Sequence, residues 1–213
     1  MGQFNWPSDR QGELWTKIVQ AKLKNQLQVL KLYGHSTAEL EKELAKVEFN
    51  DLSNREAVVA RQYFPLLFDD EDFSRRDGAA INAGLDYGYA ILLSMFNRTI
   101  VERGYLPQLG IHHHSNENQY NLASDLMEPF RPVIDYWVAA QSFNELTPDV
   151  KYGLIDALNL VIRYAGQEML LRNAIEKFVG QCMAFLNGKK KRDFKIEMGF
   201  TDEVPNHALA SHV

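Results

Sequence analysis

The sequence predicts an all-α protein, a multi-helix bundle built round one central apolar helix, with a single strand candidate near the C-terminus. Three features predict it. Apolar residues recur at spacings of three and four over most of the chain. The segment Ala79–Val101 is apolar on nearly every side, as a helix at the middle of a bundle must be. Sustained two-residue alternation, the mark of half-buried strands, is absent.

Taken in order, Gln11–Tyr33 carries Leu14, Trp15, Ile18, Val19, Leu23, Leu27 and Leu30 at helical spacing, and Gly34 supplies a left-handed stop. "STAELEKELAKVEF" sets Ser36 three residues before Glu39, a capping box, with Leu40, Leu44 and Val47 at core spacing. "LSNREAVVARQYFPLLF" repeats the pattern with Ser53 and Glu56 and predicts a third helix ending near Pro65, where the proline removes a backbone donor. After the charged loop "DDEDFSRRD" comes the central helix, in which Ala83, Gly84 and Gly88 let neighbours approach closely. "GIHHHSNENQYN" reads as a loop, and "DLMEPFRPVID" as a helix burying Leu126, Met127, Phe130, Val133 and Ile134. Thr147 caps a further stretch with Pro148 at its first position and Gly188 at its end, one broken helix or two, interrupted at Gly153 and Gly166. "RDFKIEMGF" is the strand candidate, and the polar tail is expected to fray from about residue 199. The chain, 1–213, therefore reads as one helical domain.

Composition narrows the function. With 28 acids against 23 bases the net charge is −5, which argues against coating nucleic acid by bulk charge. Any such contact is a local patch: Lys17, Lys22, Lys24 and Lys31 on the first helix, Arg75 with Arg76, or Lys189–Arg192. No stretch is apolar enough to span a membrane, and "MGQFNWPSDR" lacks the apolar centre of a secretion signal, so a cytoplasmic protein is expected. The single cysteine, Cys182, excludes an internal disulfide and any cysteine-based zinc cluster, and is expected in the core. Phosphate-binding, dinucleotide, serine-hydrolase and zinc-protease motifs are missing, as is the repeated Glu-x-x-His of di-iron bundles.

Three weak signals remain. Neighbouring helical residues point about 100° apart, so at most one or two of His112, His113 and His114 face a common point. Asp125 and Glu128, three apart, place two carboxylates on one helix face within reach of a common cation, with a salt bridge to Arg131 as the alternative. Glu56 stands in an otherwise apolar helix, where it either caps Ser53 or serves a site. One histidine nitrogen with two or three carboxylates from different helices makes a hard site suited to Mg²⁺ or Mn²⁺.

Together "NREAVVARQYF", "INAGLDYGYAILLS" and "LPQLGIHHHSNENQYNLASDLMEPFRPVID" closely resemble the C-terminal helical domain of the CRISPR-associated integrase, the metal-dependent endonuclease of spacer acquisition, and most of all its type II members. The resemblance covers most of the chain from about Trp6. It implies that Glu56, His113 and Glu128 coordinate Mg²⁺ or Mn²⁺ and carry catalysis, with Asp125 as an accessory acid. It also implies that Arg61, Arg131, Lys22, Arg75 and Arg76 hold DNA. The reactions it implies are cleavage by water and strand transfer by a DNA 3′-hydroxyl. The implied partners are double-stranded prespacer and repeat DNA, a small ferredoxin-like adaptation protein and, in the full-length family, a second copy. The family's N-terminal β-rich domain has no counterpart here, so impaired integration is expected. The reading from a different class is a non-catalytic helical interaction module. Convergence of Glu56, His113 and Glu128 would discriminate the two.

Overall fold

In a computed structural model of the chain, residues 2–200 are described. The expected frayed tail lies, beyond Phe200, outside the described residues. Helix α1 (Ser8–Leu32) buries one broad face and ends where Gly34 turns left-handed (φ +80°), letting His35 N–H reach back to the Leu30 carbonyl. The short α2 (Ala38–Leu44) and α3 (Arg55–Leu67) follow. The central helix α4 (Ala80–Glu102) packs against α5 (Asn121–Met127), α6 (Arg131–Ala139), α7 (Pro148–Asp156) and α8 (Leu171–Leu186). Gly88 allows this: a Cβ there would stand 2.4 Å from Ile134 of α6 and 3.2 Å from Leu154 of α7. Phe96 of α4, Phe130 of the turn before α6 and Phe178 of α8, all fully buried, meet in the core. Cys182 is buried there too, as expected.

Neither capping box forms. At α2 the Thr37 hydroxyl donates to the Glu41 carboxylate, and no side chain caps the helix. At α3 the cap is Asn54, in the left-handed region (φ +52°), whose carbonyl oxygen accepts from Ala57 N–H. Asp51 accepts from the amides of Arg55 and Glu56, and Ser53 is turned to Arg55 Nε. Two neighbouring carbonyl-type acceptors satisfy the first turn, so Glu56 is released from capping. The helix also runs two residues past Pro65. So near its end, the missing donor leaves only the carbonyl of exposed Arg61 unpaired within the helix.

The stretch between Thr147 and Gly188 resolves into two helices separated by a β-hairpin, which the helical reading did not anticipate. Strands β1 (Val161–Tyr164) and β2 (Gln167–Leu170) pair antiparallel across Ala165 and Gly166, both with positive φ, the geometry of a two-residue hairpin turn. Ile162 and Tyr164 point into the core against α8 while Arg163 faces out. The strand candidate is met in part: only Met198–Gly199 (β3) pairs, with Tyr164 and Arg163 of β1, giving the order β2-β1-β3. The class remains mainly α-helical with this small sheet at the C-terminal end. Among the described residues no helix is long and apolar enough to cross a membrane.

Candidate active site

One face of α1 organises the site. Lys22 is only 7% exposed and lies on the apolar stripe that also carries Trp15, Ile18 and Val19. A charge so placed needs partners. It has two: Nζ is 2.5 Å from Glu56 Oε1 of α3 and in direct contact with Glu128 Oε2. Two carboxylates 72 positions apart in sequence thus converge on one cation. Burial opposes the lysine's charge, but Glu128 and Glu56 outweigh it and hold the pKa above the ordinary lysine value. For Glu56, burial raises the pKa, and the charges of Lys22, Arg131 and His113 more than reverse this, leaving the group ionised.

Glu128 sits in a 3-10 turn, Glu128–Phe130, between α5 and α6. Pro129 and Pro132 force the change, since neither donates a backbone hydrogen bond to the turn before it. The turn is pinned to α1 by Asn25 Nδ2, which donates to the Pro129 carbonyl at 2.7 Å. Arg131 Nε stands 3.0 Å from Glu128 Oε1; its N–H meets no acceptor at hydrogen-bond angle, so the contact is an ion pair. The guanidinium lies over the Tyr89 ring, 4.7 Å from the centroid, and the Tyr89 hydroxyl donates to buried Asp135. The salt bridge expected as the alternative for Arg131 is therefore present, inside the site rather than away from it. Burial pushes the Asp135 carboxyl up to about 6, against the pull of Tyr89 and Tyr63.

The third component is the loop before α5. Asp125 is fully buried, and its carboxylate is taken by the loop that holds His113, whereas Glu128 meets Lys22. Its Oδ2 accepts from the amides of Ile111 (2.7 Å) and His112 (3.0 Å), and its Oδ1 from His113 N–H (3.2 Å). The same Oδ1 is 2.5 Å from His113 Nδ1. The short α5 points Asp125 at the loop because the chain there has curled round it. Gly110 permits the curl, since a Cβ would stand 2.1 Å from the His113 carbonyl and 2.8 Å from Asp125 Oδ2. Asn121 fastens the loop by donating to the carbonyls of Gln108 and Ser115.

The histidine triplet separates into three environments. His112 stacks on Trp15 of α1, with centroids 4.1 Å apart and rings 6° from parallel. Burial and the neighbouring His113 lower its pKa. His113 sits edge-on to Trp15 at 5.6 Å, and its hydrogen bond to Asp125 raises its pKa. With Nδ1 engaged, Nε2 is the nitrogen left for chemistry. His114 is exposed and lines a cleft with Gln3 and Phe4.

Among the described residues, no three His, Cys, Asp or Glu groups gather tightly enough to share an ion as they stand. The point between Glu56 and Glu128 belongs to the Lys22 ammonium. The donor chemistry nevertheless fits a hard divalent cation: two carboxylates already drawn to one positive charge, and an imidazole with a free nitrogen and a carboxylate behind it. The expected DNA contacts divide. Lys22 and Arg131 are buried in the carboxylate cluster. Arg61, Arg75 and Arg76 line an open cavity of about 510 Å³ beside Phe64 and Phe73, and of the three Arg75 is also tied to Asn82 and Asp86. From sequence Trp15 reads only as core and Gly110 only as part of a loop, and Asp135 was not singled out. For Lys22 the signal was available: a cation on an otherwise apolar helical stripe.

The family model described as "CRISPR associated protein Cas1" matches residues 2–149. A "CRISPR-associated endonuclease Cas1" from Neisseria meningitidis serogroup C (strain 8013) is 36% identical over 201 residues, covering 91% of this chain. The chain spans 66% of that relative's length. Two solved structures share the fold. One is a casposase bound to integration product, with TM-score 0.69 and 22% identity over 87% of this chain and 68% of that one. The other is a Cas6-RT-Cas1–Cas2 complex, with TM-score 0.68 and 20% identity over 91% of this chain and 25% of that one. By the match of residues 2–149, which hold Lys22, Glu56, the His113 loop and Glu128, this chain belongs to the Cas1 family of CRISPR-associated proteins.

Proposed function

We propose that this chain carries the metal-dependent endonuclease and integrase centre of CRISPR spacer acquisition, acting in the cytoplasm on double-stranded prespacer and repeat DNA. The observation that carries the reading is the convergence of Glu56 and Glu128, from separate helices, on one positive charge beside an imidazole set by Asp125. Glu56, Glu128 and His113 Nε2 would hold the ion. Bound Mg²⁺ or Mn²⁺ would polarise a phosphodiester and make a nearby water or 3′-hydroxyl more acidic. Asp125 fixes the His113 tautomer by its bond to Nδ1, which leaves the Nε2 lone pair for the ion. Arg131, clamped between Glu128 and the Tyr89 face, keeps the carboxylate in place. Arg61 and Arg76 offer guanidinium groups to phosphates running along the open cavity.

The names of the relatives support this reading, one being an endonuclease and one a casposase bound to its integration product. We extend it to a second copy of the chain and to a partner of the small ferredoxin-like adaptation class, the latter supported by the similar fold within a Cas6-RT-Cas1–Cas2 complex.

A non-catalytic helical module is favoured by one observation, the neutralisation of both carboxylates by Lys22. The two readings separate in Glu56→Ala. Mn²⁺-dependent cleavage of branched or double-stranded DNA should fall at least about a hundredfold, as for loss of an ion-holding group. Unchanged cleavage, or none in the wild type with Mn²⁺, leaves the interaction module.

A further inference from the structure

We propose that Lys22 is a built-in stand-in cation. Its ammonium occupies the place between Glu56 and Glu128 that a divalent ion takes, so metal uptake at this site is an exchange in which the ammonium must leave. The inference rests on the metal reading above and adds to it a competitor within the chain.

Three observations carry it. First, the ammonium bridges: one Nζ meets an oxygen of each carboxylate, one on α3 and one in the 3-10 turn after α5. Second, the cluster is balanced and mostly buried. Lys22 is buried, the Glu128 side chain is 5% and the Glu56 side chain 24% exposed, and Arg131 already holds the other Glu128 oxygen. Two carboxylates therefore face two cations. Adding a divalent ion with the lysine in place would leave an excess of two positive charges in a buried pocket, which low polarity makes costly. Removing the ammonium halves that excess. Third, of the two cations only Lys22 is able to leave. Arg131 is planar, stacked on Tyr89 and ion-paired with Glu128, whereas the lysine charge rides on a flexible four-carbon stem. The lysine thus keeps two mutually repelling carboxylates together while the site waits for metal.

The test is Mn²⁺ binding to the purified chain, read from the loss of the free-ion electron paramagnetic resonance signal, in the wild type, Lys22→Met and Glu56→Gln. Methionine keeps the stem's volume and removes the charge. Lys22→Met should bind Mn²⁺ at least about tenfold more tightly than the wild type, since one competing buried pair is gone. In EDTA it should melt below the wild type, and Mn²⁺ should raise its melting temperature by more. Equal or weaker binding by Lys22→Met, with wild-type binding lost in Glu56→Gln, overturns the exchange and leaves the metal reading intact. No Mn²⁺ binding to any of the three proteins overturns the metal reading and this inference with it.

Should Lys22→Met fail to fold, the wild type alone decides. Acetylation of lysines, mapped by mass spectrometry, should leave Lys22 protected in EDTA and modify it several-fold faster in saturating Mn²⁺. Protection unchanged by bound Mn²⁺ overturns the proposal.

Discussion

Asp125 accepts from three consecutive backbone amides and from one histidine ring, and Asp125→Asn tests whether this carboxylate builds the His113 loop. An amide in the same place keeps one oxygen for Ile111 and His112 but turns an NH₂ group toward His113 N–H and Nδ1. One backbone donor then faces a donor in a buried position, and the remaining bonds lose their charge assistance. At about 1.5–3 kcal/mol for a hydrogen bond to a charged group, the change should destabilise the chain by about 3 kcal/mol. For a chain of this length that corresponds to roughly 6–12 °C in Tm. The loss should depend on pH. Because Asp125 raises the His113 pKa in the folded state, the part of its contribution made through that ring is complete below the unfolded histidine value of about 6.5 and is lost as pH rises through the folded value, while the amide bonds remain. The gap between wild type and variant should therefore be wider at pH 5.5 than at pH 8.5. Urea unfolding at both pH values, with NMR titration of the His113 ring, measures both effects. If His113 titrates at the same pH in the two proteins and their unfolding free energies agree within about 0.5 kcal/mol, Asp125 does not organise the loop.

Two further outcomes follow from the same geometry. Gly110→Ala should open the loop, because its Cβ would collide with the His113 carbonyl. A loss of about 3 kcal/mol and a downward shift of the His113 pKa are expected, and a wild-type titration would contradict the close approach. Asp135→Asn should flatten the pH profile. The native carboxyl holds its proton up to about pH 6 while the unfolded one releases it near 3.8, so stability falls as pH rises between those values, by about 3 kcal/mol in full. Denaturant melts of both proteins from pH 4 to 7 should diverge across that window, and parallel curves would refute the buried-acid account.

The long helices were legible because their signals are long. More than twenty residues of periodic or all-round apolarity in α1 and α4 leave one reading. The capping boxes misled because Ser-x-x-Glu specifies a local bond that any better acceptor displaces, and Asn54 with Asp51 displaces it at α3. The hairpin is hidden because four-residue strands are too short for alternation to stand out, and its one sequence mark, Gly166, reads equally well as a helix interruption. At the site, the family resemblance pointed to Glu56, His113 and Glu128, and their placement near one another depends on partners that no local pattern contains. Lys22 meets Glu128 across 106 positions, and Asp125 reaches back 12 to His113. The spacing of Asp125 and Glu128 fixes a helix face but not which neighbour claims each carboxylate: the loop amides take Asp125, and Lys22 with Arg131 take Glu128.

Helix α1 has a further consequence as a measuring rod. Trp15 braces the histidine loop, Lys22 draws the two glutamates together and Asn25 anchors the proline turn, all along one stripe. The interval from Trp15 to Lys22 is about two turns, or roughly 10 Å. Inserting or deleting a single residue within it would swing the ammonium by about 100° while leaving the stacking ring where it was. The gauge set by one helix therefore constrains length more tightly than identity, and drift in this segment should be tolerated as substitutions but not as changes in spacing.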